Sequence, residues 1–228
     1  MRAMTLSAVM EDYLKAIYQL QREGADERVR TSALADHLGV TPPTVTSMLS
    51  KLESRGLLDR EKYKGVVLTP EGERVAIEVI RHHRLLEAYL SEHLDFAWSE
   101  VHDEADRLEH HISEAFEERV AAVLEDPTVD PHGAPIPNED LEPPAEPAGD
   151  VLSECEVGAT VEVREVSDRD PDVLEYLSEH GVNPGVSLSV EEVAPFGMVT
   201  VSTDDGRVSL PEDVARHVRV APVAEALG

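Results

Sequence analysis

Residues 31–56 are punctuated in a way that few folds accommodate. Thr31 can cap a short helix over residues 32–37, and Gly39 ends it. Thr41 then caps a second helix, with Pro42 at its first position, reaching to about Arg55 before Gly56 stops it. Two helices joined by a short turn with a glycine make a helix-turn-helix. Ahead of them, Leu6, Val9, Met10, Tyr13, Leu14, Ile17, Tyr18 and Leu20 recur at helical spacing over residues 4–22. After them, residues 57–61 and 66–69 read as two strands around Lys62-Tyr63-Lys64-Gly65, a hairpin wing. Residues 1–72 are therefore expected to form a winged helix-turn-helix.

Charge bears on what such a module meets. The 228-residue chain has a formal net charge of −27, which by itself disfavours a polyanionic partner. The imbalance is not uniform, because residues 1–72 carry as many cations as carboxylates and hold every lysine of the chain. Thr41, Pro43, Thr44, Thr46 and Ser47 sit at and near the start of the second helix, where a recognition helix meets base edges and phosphates. Lys51, Arg55, Arg60, Lys62 and Lys64 follow on the helix end and wing, placed for flanking phosphates. A solvated basic face, or a protein-docking winged helix, is the alternative. The acidity with few lysines fits a halophile. One cysteine, Cys155, excludes a disulfide framework and a thiolate zinc site. No apolar run is long enough to span a membrane and the N-terminus lacks a signal-peptide pattern, so a cytoplasmic protein is expected.

Beyond the wing, Thr69-Pro70-Glu71 opens a helix to about His93, and Ser99 opens another to about Leu124. Residues 126–149 are proline-rich and read as an extended linker. Residues 151–223 alternate short valine-rich runs with Gly, Pro and Asp, the pattern of a small β-barrel. The two long helices carry a histidine and carboxylate stripe. On the later one, Asp106, Glu109 and His110 stand at i, i+3 and i+4, with His102 a turn earlier. On the earlier one, His83 and Glu87 stand at i and i+4, and the first helix adds Asp12. Imidazole and carboxylate without thiolate suit Mn(II) or Fe(II). Solvated helix faces of an acidic protein are the alternative. No histidine has a glutamate three residues before it, and there is no HExxH, which speaks against a metalloenzyme.

Met10-Glu11-Asp12-Tyr13-Leu14-Lys15-Ala16-Ile17-Tyr18, the winged helix, residues 81–87 (RHHRLLE), residues 101–111 (VHDEADRLEHH) and residues 131–137 (PHGAPIP) together resemble the diphtheria toxin repressor family of metal-dependent transcriptional regulators. The likeness is specific over residues 4–140, and weaker in the C-terminal part, which is similar to the family's SH3-like (FeoA-like) domain by strand pattern and position.

The resemblance implies a mainly α protein with a small all-β domain. Residues 1–72 would be the winged helix-turn-helix, 73–140 a helical metal-binding and dimerisation domain, 141–150 a proline-rich linker, and 151–228 an SH3-like barrel. It implies no enzyme but a homodimeric regulator, in the first instance a repressor, that binds operator DNA when loaded with Mn(II) or Fe(II) and controls metal uptake. A metal-independent winged-helix module is the alternative. Carried over by position, the primary metal site would be Asp12, Asp106, Glu109 and His110. The ancillary site would be His83, Glu87 and His102, with Asp170 from the SH3-like domain. Iron-responsive members have Met and Cys where this chain has Asp12 and Asp106, so Mn(II) is the first choice. Lys15 stands where the manganese type can supply a further Glu, which disfavours a two-manganese arrangement.

Overall fold

The computed structural model describes residues 6–23, 28–61, 64–144, 149–168, 170–195, 197–203 and 206–223. The chain divides into two compact units. The first comprises Met1–His82, Glu109–His111 and Pro137–Pro143, and the second His83–Leu108, Ile112–Ile136 and Pro144–Gly228.

In the first unit, α1 (Ala8–Glu23), α2 (Thr31–His37) and α3 (Pro42–Ser54) surround a core in which Leu14, Ile17, Leu34, Val45, Leu49 and Leu52 have no exposed surface. Gly39 turns the chain between α2 and α3 at φ +63°, a conformation that side chains with a Cβ disfavour. Thr31 is the first helical residue of α2 rather than its cap, which is Arg30. Thr41 does cap α3 by backbone conformation, but its hydroxyl pairs with the Thr44 hydroxyl at 2.9 Å instead of a helix N–H. Val45, Leu49 and Leu52 point α3's apolar stripe inward, which leaves the hydroxyl-bearing face outside. A hairpin follows, β1 (Leu58–Glu61) against β2 (Gly65–Leu68), in register from Leu58 with Leu68 to Glu61 with Gly65. Thr69 then caps α4 (Pro70–Leu94), accepting from the Gly72 N–H at 3.2 Å.

The second unit holds α4 from His83 onward, α5 (Val101–Leu108) and α6 (Glu114–Val123). Leu85, Ala88, Val120, Ala121, Leu124 and Ile136 form one apolar cluster, and Leu86, Leu90, Val101 and Ala105 another. The single helix expected from Ser99 to about Leu124 is broken. Ser113 provides a competing start, its hydroxyl accepting from the Phe116 N–H at 3.3 Å, so residues 109–113 become a turn. Glu109 and His110 therefore lie in the turn that follows α5 rather than on a continuing helix.

The rest of this unit is an antiparallel sheet in the order β3-β8-β4-β5-β6-β7. Its strands are β3 (Asp150–Val151), β4 (Thr160–Val166), β5 (Ser187–Ala194), β6 (Met198–Thr203), β7 (Gly206–Pro211) and β8 (Val218–Pro222). Two helices interrupt them, α7 (Pro171–Glu179) and α8 (Glu212–Ala215). Leu152, Leu174, Leu177, Val182, Leu188, Val201 and Leu210 fill its core without exposed surface. The fold is SH3-like, but the sheet is open rather than a closed barrel. Among the described residues no ladder joins β7 to β3, whose two residues offer too short an edge. No helix of the described residues is long and apolar enough to cross a membrane.

The proline-rich stretch is not all linker. Residues 128–136 fold on themselves: Ile136 N–H donates to Thr128 O at 2.9 Å and Asp130 N–H to Ala134 O at 3.0 Å. Prolines 131 and 135 lack an N–H, and the residues that flank them supply these donors. Asp130, His132, Ala134 and Ile136 are buried as a result. Of the linker expected over residues 141–150, residues 145–148 lie outside the described residues.

Gly133 makes this packing possible. It sits at φ +87°, and a Cβ there would fall 2.0 Å from the Arg164 carbonyl oxygen of β4. Val166 N–H meanwhile donates to His132 O at 2.8 Å. Gly133→Ala should therefore destabilise the folded chain by at least ~2 kcal/mol through left-handed strain and a backbone clash. Urea unfolding of the variant against wild type checks this.

Candidate metal centres

Two clusters of imidazole and carboxylate groups form, one in each unit. In the first unit, α1 presents Glu11 and Asp12, and the turn after α5 presents Glu109 and His110. His110 Nδ1 lies 2.7 Å from Glu11 Oε2, and its Nε2 lies 2.7 Å from Asp12 Oδ1 and 3.3 Å from Glu109 Oε1. Asp12, Glu109 and His110 each offer one donor atom within 4.8 Å of the others. Lys15, one turn after Glu11 on α1, donates to Glu109 Oε2 at 2.8 Å. Glu109 is 2% exposed, so two positive groups compensate a buried carboxylate. Burial alone would push the His110 ring down. The hydrogen bonds to Asp12 and Glu11 and the charge of Glu109 outweigh it and raise the ring to about 10.

In the second unit, α4 presents His83 and Glu87 and α5 presents His102. Asp168, from the loop between β4 and α7, completes the group. His83 Nε2 is 3.0 Å from Glu87 Oε1 and 3.2 Å from His102 Nδ1. His102 Nδ1 is 3.3 Å from Glu87 Oε1 and 3.3 Å from Asp168 Oδ2. Behind them stand Asp130 and His132, both buried, with His132 Nδ1 3.7 Å from Glu87 Oε2. His132 Nε2 faces the Trp98 carbonyl at 3.0 Å, and Trp98 Nε1 donates to Pro131 O at 2.8 Å.

The electrostatics follow from burial. Glu87 has no exposed surface, which opposes its charge, yet the charge on His83 and the hydrogen bond from His102 hold it well below the usual carboxylate range. Burial likewise lowers His102, but Asp168 and Glu87 override it and raise the ring to about 10. Burial and the Glu87 charge push Asp130 up to about 7. Glu87 Oε2, Asp130 Oδ2 and His132 Nδ1 are buried without a hydrogen-bond partner. Unpartnered buried atoms of this kind are costly. Hard oxygen and imidazole donors converging on them fit a divalent ion such as Mn(II) or Fe(II).

The residues singled out from sequence fall as follows. Asp12, Glu109 and His110 are brought together. Asp106 Oδ1 lies 3.2 Å from His83 Nδ1 in the second unit. His83, Glu87 and His102 are brought together as well. Asp170 is not with them, because its carboxylate caps α7, accepting from Asp172 N–H at 3.1 Å and Val173 N–H at 3.4 Å. Asp168 stands in the place expected of it. The Asp-Pro pair at 170–171 is itself a cap signature, so the capping rule could have freed Asp170 and pointed to Asp168. Glu11, Asp130 and His132 were missed. Thr41, Pro43, Thr44, Thr46, Ser47, Lys51, Arg55, Arg60 and Lys64 are all exposed, and Lys62 lies outside the described residues.

Comparison with known proteins gives this arrangement a context. Residues 5–66 match the N-terminal DNA binding domain of iron dependent repressors, and residues 69–138 their metal binding and dimerisation domain. Residues 151–222 match the FeoA domain. The iron-dependent repressor IdeR of Mycobacterium tuberculosis is 36% identical over 225 residues, covering 93% of this chain and 96% of that one. This chain belongs to the iron-dependent (diphtheria toxin) repressor family. The diphtheria toxin repressor of Corynebacterium efficiens is 33% identical over 227 residues, covering 93% and 95%. A solved manganese-dependent transcriptional repressor in complex with manganese is 38% identical, with a TM-score of 0.85, covering 94% of this chain and 100% of that one. The family is one of transcriptional repressors with DNA-binding and dimerisation domains, and both iron- and manganese-dependent members are similar to this chain.

The raised histidines carry a pH dependence. Without an ion, the stabilisation from protonated His102 and His110 is complete below their ordinary value of 6.5 and is lost as pH climbs toward about 10. Melting temperature in EDTA should therefore fall across that interval. An ion needs both rings deprotonated, so the increase in melting temperature produced by Mn(II) should grow across the same interval. Thermal melts with and without Mn(II) from about pH 6.5 to 9.5 check both slopes.

Proposed function

We propose that this chain is a cytoplasmic homodimeric repressor of metal-uptake genes, activated by Mn(II) in preference to Fe(II). The observation that carries the reading is the first centre, where Asp12, Glu109 and His110 converge without a sulfur donor. Met10 is packed into the hydrophobic core, so no thioether joins that set to favour the softer ion. Glu11 adds a second α1 carboxylate. In the second centre, His83, Glu87, His102 and Asp168 are the ligands, with Asp130 and His132 behind them.

A divalent ion supplies a compact double positive charge at either centre. The chain's own residues do the rest. Asp12 and Glu11 belong to α1, which shares one core with the recognition helix α3 through Leu14, Ile17, Val45 and Leu49. Fixing α1 to the Glu109–His110 turn therefore fixes α3 as well. Two recognition helices so held match successive major grooves of a palindromic operator. Without the ion, Asp12, Glu11 and Glu109 repel one another apart from the charge that Lys15 and His110 supply. Activation is then a population shift between DNA-competent and incompetent dimers.

The exposed hydroxyls of Thr41, Thr44 and Ser47 face base edges and phosphates, and Lys51, Arg55, Arg60 and Lys64 the flanking backbone through the hairpin wing. The net charge of −27 suits a halophilic cytoplasm, where counterion release adds little to affinity.

The test is retention of the chain's own upstream DNA at molar and at low salt, with Mn(II), Fe(II), Zn(II) or EDTA. Mn(II) should give retention and EDTA none. Asp12→Ala and His110→Ala should each lose at least about tenfold in ion-dependent affinity, the scale expected when a metal-site group is removed. Equal retention in EDTA would leave a plain winged-helix DNA binder whose two clusters take no part in DNA binding.

A further inference from the structure

We propose that Glu87, Asp130 and His132 hold an additional divalent cation, which shares Glu87 with the ion of the second centre. This rests on the reading of His83, Glu87, His102 and Asp168 as ligands. Glu87 divides its two oxygens between two sets of partners. Oε1 lies 3.0 Å from His83 Nε2 and 3.3 Å from His102 Nδ1. Oε2 faces His132 Nδ1 at 3.7 Å and has no hydrogen-bond partner. Glu87, Asp130 and His132 each offer one donor atom within 4.8 Å of the others. Their exposures are 0%, 5% and 1%, so bulk water does not reach them.

The tautomer of His132 argues for an ion among these groups. His132 Nε2 lies 3.0 Å from the Trp98 carbonyl, which can only accept, so Nε2 carries a proton. In the neutral ring Nδ1 then presents a lone pair, and what it meets is the lone pair of a carboxylate. Two acceptors so placed need either a cation or a second ring proton between them. A histidine that donates one N–H to a backbone carbonyl and turns its other nitrogen to carboxylates has the setting of a metal ligand. Asp130 is oriented in the same way. Its Oδ1 accepts from the His132 and Ala134 N–H groups, both at 2.9 Å, which leaves Oδ2 unpartnered. Arg84 Nε stands 3.6 Å from that oxygen, beyond hydrogen-bond reach, and Arg84 Nη1 donates to the Pro135 carbonyl. A second proton on His132 would answer Glu87 Oε2 and leave Asp130 Oδ2 as it is. A divalent ion takes lone pairs from all three groups, and two carboxylates with one imidazole suit Mn(II).

The experiment uses the full-length chain with His110→Ala, which disables the first centre, and Mn(II) as the probe. Equilibrium dialysis counts the ions. Electron paramagnetic resonance reads their spacing, because two ions bridged by a carboxylate, about 3.5–4 Å apart in such pairs, are exchange-coupled. Two Mn(II) per chain with a coupled spectrum are expected. Asp130→Asn keeps the oxygen that accepts from the turn, and His132→Phe keeps a ring in the same place. Each should lose one ion and leave the uncoupled six-line spectrum of a single Mn(II). Trp98 is the only tryptophan of the chain, and its ring centroid lies 5.0 Å from that of His132. Quenching of its fluorescence by the second equivalent of Mn(II) should vanish in both variants. The proposal is overturned if the His110→Ala chain binds a single, uncoupled Mn(II), since His132 would then be a doubly protonated ring answering Glu87 alone. It is also overturned if both variants keep two ions. Absence of any bound Mn(II) in this background would overturn the ligand reading of the second centre, and the proposal with it.

Discussion

A carboxylate with no exposed surface, Glu87, dictates how its unit is assembled. A buried charge left unpaired costs about 3–5 kcal/mol, comparable to a large share of a domain's whole stability. Three parts of the chain converge to supply compensation. His83 comes from the same helix, His102 from α5, and His132 from the folded part of the proline-rich stretch. Asp168 then ties His102 to the sheet side of the same unit. The packing of residues 128–136 onto β4 through Gly133 is part of the same solution, because it is what brings His132 to Glu87.

The first unit repeats this logic on a smaller scale. Glu109 is nearly as buried, and Lys15 and His110 supply the charge that answers it. The two units differ in what answers their buried glutamate. Lys15 answers Glu109 as an ammonium group, which has no lone pair to give to an ion. The groups that answer Glu87 in the second centre are histidines, each of which can exchange its proton for an ion. This difference argues for a single ion at the first centre and for a second centre where the charge compensating Glu87 is exchangeable.

Much of the fold was legible because it rests on short-range signals. Gly39, Thr41-Pro42 and Gly56 mark the helix-turn-helix, and the valine alternation after residue 151 marks the sheet. The metal centres were legible where ligands repeat at i and i+4 on a true helix, as His83 and Glu87 do. They were illegible where tertiary contacts decide. Nothing in the periodicity after Ser99 shows that Ser113 would start a new helix and leave Glu109 and His110 in a turn. Asp130 and His132 were hidden by composition, since a proline-rich run suggests exposure and their burial depends on a distant strand. Sheet closure was misread for a similar reason, since the valine alternation marks strands but not which edges meet.

The acidity of the chain bears on how its DNA face can work. The face of α3 that the core leaves outside presents hydroxyls at Thr41, Thr44 and Ser47 and few charges. Thr46 already donates to the Pro42 carbonyl at 2.9 Å, so its hydroxyl retains only acceptor capacity. Lys64 and Arg28 both lie near Glu61, which lowers the net positive potential of the hairpin. An interface of this kind gains little from long-range attraction, and its affinity depends on short-range contacts that form only when α3 is correctly placed. Such a face makes the geometric control exerted through α1 more consequential than it would be in a strongly basic protein, where non-specific attraction to phosphate would hold the chain on DNA whether or not an ion had set the angle of α3.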